Sequence, residues 1–172
     1  RLSLVGSEMC IRDRDDVKAV ENLDNVTDVM PSYFADLVLK SNGNGGNGKV
    51  IRVTAAPKSY NNNKTLNTLN IKEGRLPEKK GEILVEYGSV GSSDYKIGDK
   101  VVFGSESGES NALDMVDTLE YTVVGKVESP MYISYQRGST TIGNGNIAAF
   151  MYIYQDDFVT ERYTEMYVKT VF

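Results

Sequence analysis

The 172 residues suffice for one ordinary domain or two small subdomains, since a domain takes roughly 100–200, and 40% apolar beside 25% charged residues allows a sizeable core. A formal net charge of −5 argues against a nucleic-acid reader, while the lack of histidine and a single cysteine remove the usual zinc ligands, the usual partners of a Ser or Cys nucleophile and any internal disulfide. The longest apolar run, Ile147 to Tyr154, is far below the roughly 20 residues that cross a bilayer, and the opening Arg1-Leu2-Ser3-Leu4-Val5-Gly6 is too short for a signal-peptide core of ~7–15 residues.

Residues 1–14, RLSLVGSEMCIRDR, resemble a peptide translated from sequencing-adapter DNA and are expected to lie outside the native fold; the alternative is a real but frayed terminal segment. Setting aside Arg1, Arg12 and Arg14 against Glu8 and Asp13 takes the net charge from −5 to −6 and removes Cys10. Asp15-Asp16 followed by Val17, Val20 and Leu23 predicts a short helix that stops near Asp24-Asn25. Alternation then predicts a strand over 33–40, with Tyr33, Ala35, Leu37 and Leu39 on one face, and another over 49–56, with Ile51, Val53 and Ala55 on one face. The glycine-rich 41–48 between them reads as a hairpin loop, and Asn61-Asn62-Asn63 marks a further loop before a turn at Gly74 and Pro77.

Strands follow over 82–87, 100–103 and 120–128, the second fed by a Gly98-Asp99 turn. Residues 105–117 are polar and read as a loop; Pro130 interrupts the strand signal, which resumes over 132–135. After a loop at 138–146 come a buried strand over 147–154, a short helical turn from Gln155, and a final alternating segment, 165–172, that nothing terminates. The spacing gives a β-rich chain without internal repeats.

Candidate chemistry is sparse. Gly43, Gly45 and Gly48 with Lys49 satisfy both GxGxxG and the GxxxxGK part of a P-loop, but Val50 stands where magnesium binding needs Ser or Thr, and a strand rather than a helix follows. A plain hairpin loop is the better reading. The pairs Asp15-Asp16 and Asp156-Asp157 have no third convergent ligand in sequence and read as caps of helix starts. Asn25-Val26-Thr27 and Asn63-Lys64-Thr65 are sequons that matter only in a eukaryotic secretory protein. The tyrosines Tyr132, Tyr135, Tyr152 and Tyr154 suit a partner-binding surface, with ordinary half-buried strand positions as the plainer account. No residue is expected to be catalytic, to bind a cofactor or to hold a metal, and none is assigned to substrate.

Four stretches carry a resemblance to the extracytoplasmic domain of FtsX-like ABC transporter permeases, the MacB-like periplasmic core. LNIKEGRLPEKKGEILV (69–85) places Gly74, Arg75, Pro77 and Glu82 at patterned positions; YKIGDKVVF (95–103) matches an Ile-Gly-Asp-x-Val turn and strand; YTVVGKVESPMYIS (121–134) supplies a Val-Val-Gly strand; NIAAFMYIYQDDF (146–158) supplies a strand with acidic follow-on. With the passage 23–29 the resemblance covers about residues 15–172. It implies an α+β fold: a split porter-like α/β subdomain around an inserted small β-rich subdomain, C-terminally truncated, with 15–57 as the first porter-like half, 66–154 as the insertion and 165–172 as the start of the second half. It further implies no enzyme activity, a cytoplasmic ABC ATPase reached through membrane helices absent from these residues, a permease dimer and a place at the cell membrane on its outer side. Gly74, Arg75, Pro77, Gly98, Asp99 and Gly125 are then expected to make turns and packing rather than ligand contacts. A secreted bacterial ligand-binding or adhesion domain is the alternative reading.

Overall fold

Alternation of apolar side chains along short segments builds most of this chain into strands. The computed structural model describes residues 14–40, 48–56, 66, 68–88, 95–104, 114–130, 137–160 and 162–171. The opening segment up to residue 13, Gly43 and Gly45, the Asn61-Asn62-Asn63 loop, Tyr132 and Tyr135, and most of loop 105–117 lie outside them. In order, the elements are α1 (Arg14–Glu21), β1 (Val26–Ser32), β2 (Phe34–Val38), β3 (Val50–Ala55), β4 (Asn70–Gly74), β5 (Glu82–Glu86), β6 (Lys100–Val102), β7 (Glu120–Glu128), β8 (Ile147–Ile153), a 3-10 turn (Gln155–Asp157) and β9 (Glu165–Thr170). The described fold is thus mostly β-sheet with little helix.

β1 and β9 form a two-stranded antiparallel sheet, running from Val26 opposite Thr170 to Ser32 opposite Glu165. On it packs α1, whose first turn carries Asp15 and Asp16 toward the positive end of the helix dipole and whose buried residue is Val17. A helix of 8 residues does not hold alone in water, so tertiary packing on β1 keeps it. Arg14 opens this helix, which puts the last residue of the expected non-native segment inside the fold.

The remaining strands make a seven-stranded sheet in the order β2-β3-β8-β5-β7-β4, with β6 also on β7. The pairs β3–β8 and β5–β7 are parallel; the other pairs are antiparallel. The sheet curls until its ends meet. Leu39, just past β2, bridges Phe103, just past β6, and the join is fixed by Lys40 N–H to Val102 O (2.9 Å) and Gly104 N–H to Val38 O (3.0 Å). Strands β2-β3-β8-β5-β7-β6 therefore close a small barrel, and closure removes the unpaired edges of those strands.

Inside the barrel the period of two does its work: Ala35, Leu37 and Leu39 of the β2 stretch, Ile51 and Val53 of β3, Ile83 and Val85 of β5, Val101 and Phe103 near β6, Tyr121 and Val123 of β7, and Ala149, Met151 and Ile153 of β8 form one core cluster. Burying each of the larger of these stabilises the fold by about 1.5–3 kcal/mol. Ala35, Leu37, Ile51 and Val53 of the stretch 15–57 point into this core. Within that stretch α1 packs on β1, which pairs with β9, while β2 and β3 lie in the barrel. On the outer face a second cluster of Ala56, Leu69, Leu84, Val124, Val127 and Tyr152 is capped by the half-buried Leu76.

β7 is long enough to pair β6 with its first three residues and β4 with its last four on the same edge. The crossing of β4 is tight: a Cβ on Gly125 would stand 2.5 Å from the Arg75 carbonyl oxygen and 3.0 Å from that of Glu73, and one on Gly74 would collide with the Val124 carbonyl oxygen. Gly74 also has φ +74°, a conformation that side chains other than glycine disfavour. Gly125→Ala is therefore expected to destabilise the domain by about 3 kcal/mol, read as a lowered urea midpoint at unchanged slope. A midpoint within error of the wild type would mean that β4 is free to move off β7.

Candidate functional site

The landmark residues of the sequence converge on a lock outside the barrel. Gly74 brings the chain over β7, Arg75 N–H bonds the Val124 carbonyl oxygen at 3.0 Å, and the Arg75 guanidinium turns back onto Glu82 at the start of β5. Its two nitrogens donate to the two carboxylate oxygens at 2.6 and 2.9 Å, a bidentate fork, while Glu78 N–H adds a third bond at 2.8 Å. Glu82 is buried, yet Arg75 holds its carboxyl far below the usual range, down to about 2, against the opposing effect of burial. Gly98-Asp99 is a second such device: the Asp99 carboxylate accepts Lys96 N–H at 2.8 Å, and Gly98 N–H and Asp99 O both bond Val123 of β7. These contacts fasten chain to chain.

Two further buried acids were not legible as such. Glu86, at the end of β5, pairs with Arg137 and accepts Phe150 N–H at 3.1 Å, with the guanidinium lying over the Phe150 ring. Asp157, read in sequence as a helix cap, caps nothing in its own turn; its carboxylate takes the N–H of Gly81, 76 residues away. Burial raises its pKa to about 6. Asp15 and Asp16, by contrast, are exposed in the first turn of α1.

Lys49 leads directly into β3 and its carbonyl accepts Leu39 N–H at 2.9 Å, so a strand rather than a helix follows the glycine-rich stretch. Tyr152 is buried in the outer cluster and Tyr154 is half-buried, which leaves little of either ring for a partner. Among the described residues no three His, Cys, Asp or Glu side chains stand close enough to hold a metal ion, and no helix is long and apolar enough to cross a membrane.

The place where the two sheets join is the most constructed feature of the surface. Within the described residues, Ser32–Phe34 and the segments 158–160 and 162–165 link β1 and β9 to the barrel, and Ser32–Phe34 meets Thr164 side by side. Thr164 N–H bonds Ser32 O at 3.1 Å, and Phe34 N–H bonds the Thr164 hydroxyl at 2.6 Å. Tyr33 stacks on Phe158 (centroids 5.3 Å apart, 19° between planes) and tilts against Tyr163 (5.1 Å, 37°). Beside this neck, on the outer barrel wall, Arg52 forks onto Asp36 at 2.7 and 2.8 Å and lies over the Phe34 ring. A neck of two hydrogen-bonded strands clasped by three rings joins the small sheet to a closed barrel.

No family model matches the sequence, and no curated protein matches it. Solved structures do. The extracellular domain of the noncanonic ABC-type transporter YknZ from Gram-positive bacteria superposes with a TM-score of 0.52 at 14% identity, over 92% of this chain and 72% of that one. The periplasmic region of MacB from Actinobacillus actinomycetemcomitans does so with a TM-score of 0.50 at 10% identity, over 95% of this chain and 66% of that one. The fold is that of a MacB-like extracytoplasmic domain, and the chain spans about two thirds to three quarters of the length of these two neighbours.

The Arg75–Glu82 lock has a defined pH signature. Glu82 has a folded pKa of about 2 against an ordinary 4.5, so its contribution is complete above pH 4.5 and is lost as pH falls from there through about 2. Glu82→Gln is expected to lower Tm by several degrees at pH 7, with the gap to wild type narrowing below pH 4.5. Parallel melting curves of the two proteins across that interval would show that the pair adds nothing to stability.

Proposed function

We propose, from a fold shared with the extracytoplasmic domains of ABC-type transporters, that this chain is the outer domain of an FtsX-like ABC transporter permease and is not itself an enzyme. The observation that carries the reading is the likeness to the YknZ domain over 92% of the chain. On this reading α1, β1 and β9 belong to a split porter-like subdomain and the barrel is its insertion. A cytoplasmic ATPase hydrolyses ATP, membrane helices outside these residues carry the motion across, and two permeases act as a dimer. The barrel then grips or releases a substrate or a partner protein at the cell surface, in efflux, lipoprotein release or related transport.

The neck fits such a role. Force entering through adjacent antiparallel strands reaches the barrel at one point, and a closed, densely packed barrel moves as a body instead of deforming. Tyrosine clasps and ion-paired walls provide stiffness.

The test uses the full-length protein as its host makes it, with Lys72→Cys on exposed β4 as a reporter. The thiol is expected to react with a membrane-impermeant maleimide on intact cells, and the coding sequence on either side is expected to supply apolar segments of about 20 residues. Labelling only after lysis would overturn the outward placement. A protein released to the medium, with no apolar segment on either side, would favour a secreted binding domain.

A further inference from the structure

Asp157 is fully buried, and its two carboxylate oxygens share a single N–H, that of Gly81, at 3.2 and 3.3 Å. The groups that face it offer little to a negative charge. Asp117 and the exposed Asp156 are like charges, and Lys80, the cation of the Gly81 turn, is drawn 2.6 Å onto Asp117. From β7 comes Tyr121, whose buried hydroxyl has no hydrogen-bond partner among the described residues.

The main chain of the same residue holds the root of the neck. Asp117 N–H bonds the Asp157 carbonyl oxygen at 2.7 Å, Phe158 bridges Val116, and Val159 N–H bonds Met115 O at 3.0 Å. Phe158 is also the ring on which Tyr33 stacks. A change at the Asp157 carboxyl is therefore one residue away from the clasp that joins the barrel to the small sheet.

We propose that Asp157 is a proton-operated latch: with a proton on its carboxyl the 3-10 turn sits tightly between the Gly81 turn and Tyr121, and loss of that proton loosens the 115–117/157–159 pairing and with it the Tyr33–Phe158–Tyr163 clasp. A carboxylic acid keeps an oxygen for the Gly81 N–H and adds a donor that the carboxylate lacks, while shedding the charge that Asp117 and Asp156 oppose. Burial, the largest influence on this group, favours the proton, and the Gly81 N–H and Lys80 only partly offset it. The folded pKa of about 6 stands above the ordinary 3.8, so the folded state holds the proton more tightly than the unfolded one. Stability from this group rises as pH falls from 6 to 3.8, the opposite sign to Glu82. The latch is a property of this chain and stands whether or not the transporter reading does.

The experiment is made on the whole 172-residue chain. Carbon-detected NMR follows the Asp157 carboxyl through a pH titration, and hydrogen exchange, corrected for the intrinsic pH dependence, follows the Asp117 and Val159 amides in wild type, Asp157→Asn and the exposed-site control Asp156→Asn. The carboxyl is expected to titrate near 6, and both amides to be about tenfold more protected at pH 5 than at pH 7.5 in wild type and in Asp156→Asn. Asp157→Asn is expected to hold the acid level of protection at both pH values. A carboxyl titrating in the ordinary range near 3.8, or a tenfold pH response that survives in Asp157→Asn, overturns the latch. Should Asp157→Asn fail to fold, the wild-type titration and wild-type protection decide alone.

Discussion

β7 has to satisfy three neighbours with two edges. One edge lies along β5 for most of its length; the other is divided, β6 taking its first residues and β4 its last. That division is possible only because the chain between β4 and β5 passes over β7 at Gly125 with no Cβ in the way, and because Gly74 allows the sharp departure that follows. From this crossing the rest is determined: Arg75 emerges where it can fork onto Glu82, β5 starts in parallel register with β7, and β6 remains free to meet the end of β2 and close the barrel.

The buried carboxylates divide by how their charge is met. Glu82 has a guanidinium and a backbone N–H, and Glu86 has a guanidinium and the Phe150 N–H. Such charges are costly to bury and costly to unpair, so each fixes the position of its partner more than it adds net stability. Asp157 has a lone neutral donor, so burial, which pushes both pKa values up, prevails there, whereas Arg75 outweighs it at Glu82. The two groups stand at the same end of the barrel wall, since Gly81, whose N–H meets Asp157, directly precedes Glu82, and their acid responses have opposite sign.

The sequence showed the barrel strands well. β7 was legible over the same nine residues, 120–128, and β3, β5 and β8 within a residue or two at each end, β3 and β7 through apolar alternation and β5 and β8 through short apolar runs buried on both faces. β4 was not legible, since all five of its residues are exposed and no alternation arises where neither face is buried. β1 was hidden for a related reason: its residues are almost uniformly half-buried, with Pro31 inside. Gly74 with its positive φ and the Arg75–Glu82 fork form a pattern carried by residues close in sequence. The neck and the environment of Asp157 depend on Tyr33, Gly81 and Asp117, brought from distant segments, and no local pattern reports such meetings.

The strand pairings also set the order in which the domain can form during synthesis. Val26 pairs Thr170, and Val50 pairs Ile147, so the earliest strands wait for the latest ones to leave the ribosome. Until β8 arrives, β3 and β5 lack their common neighbour, and β2 and β3 can stand only as an isolated hairpin. Closure entropy on this scale makes folding slow, in the range typical of non-local β topologies, and leaves apolar strand faces exposed meanwhile. The charged pairs that exposed β4 makes with β7, Lys72 with Glu128 and Glu73 with Lys126, lie where an incoming strand from another nascent chain would otherwise add on.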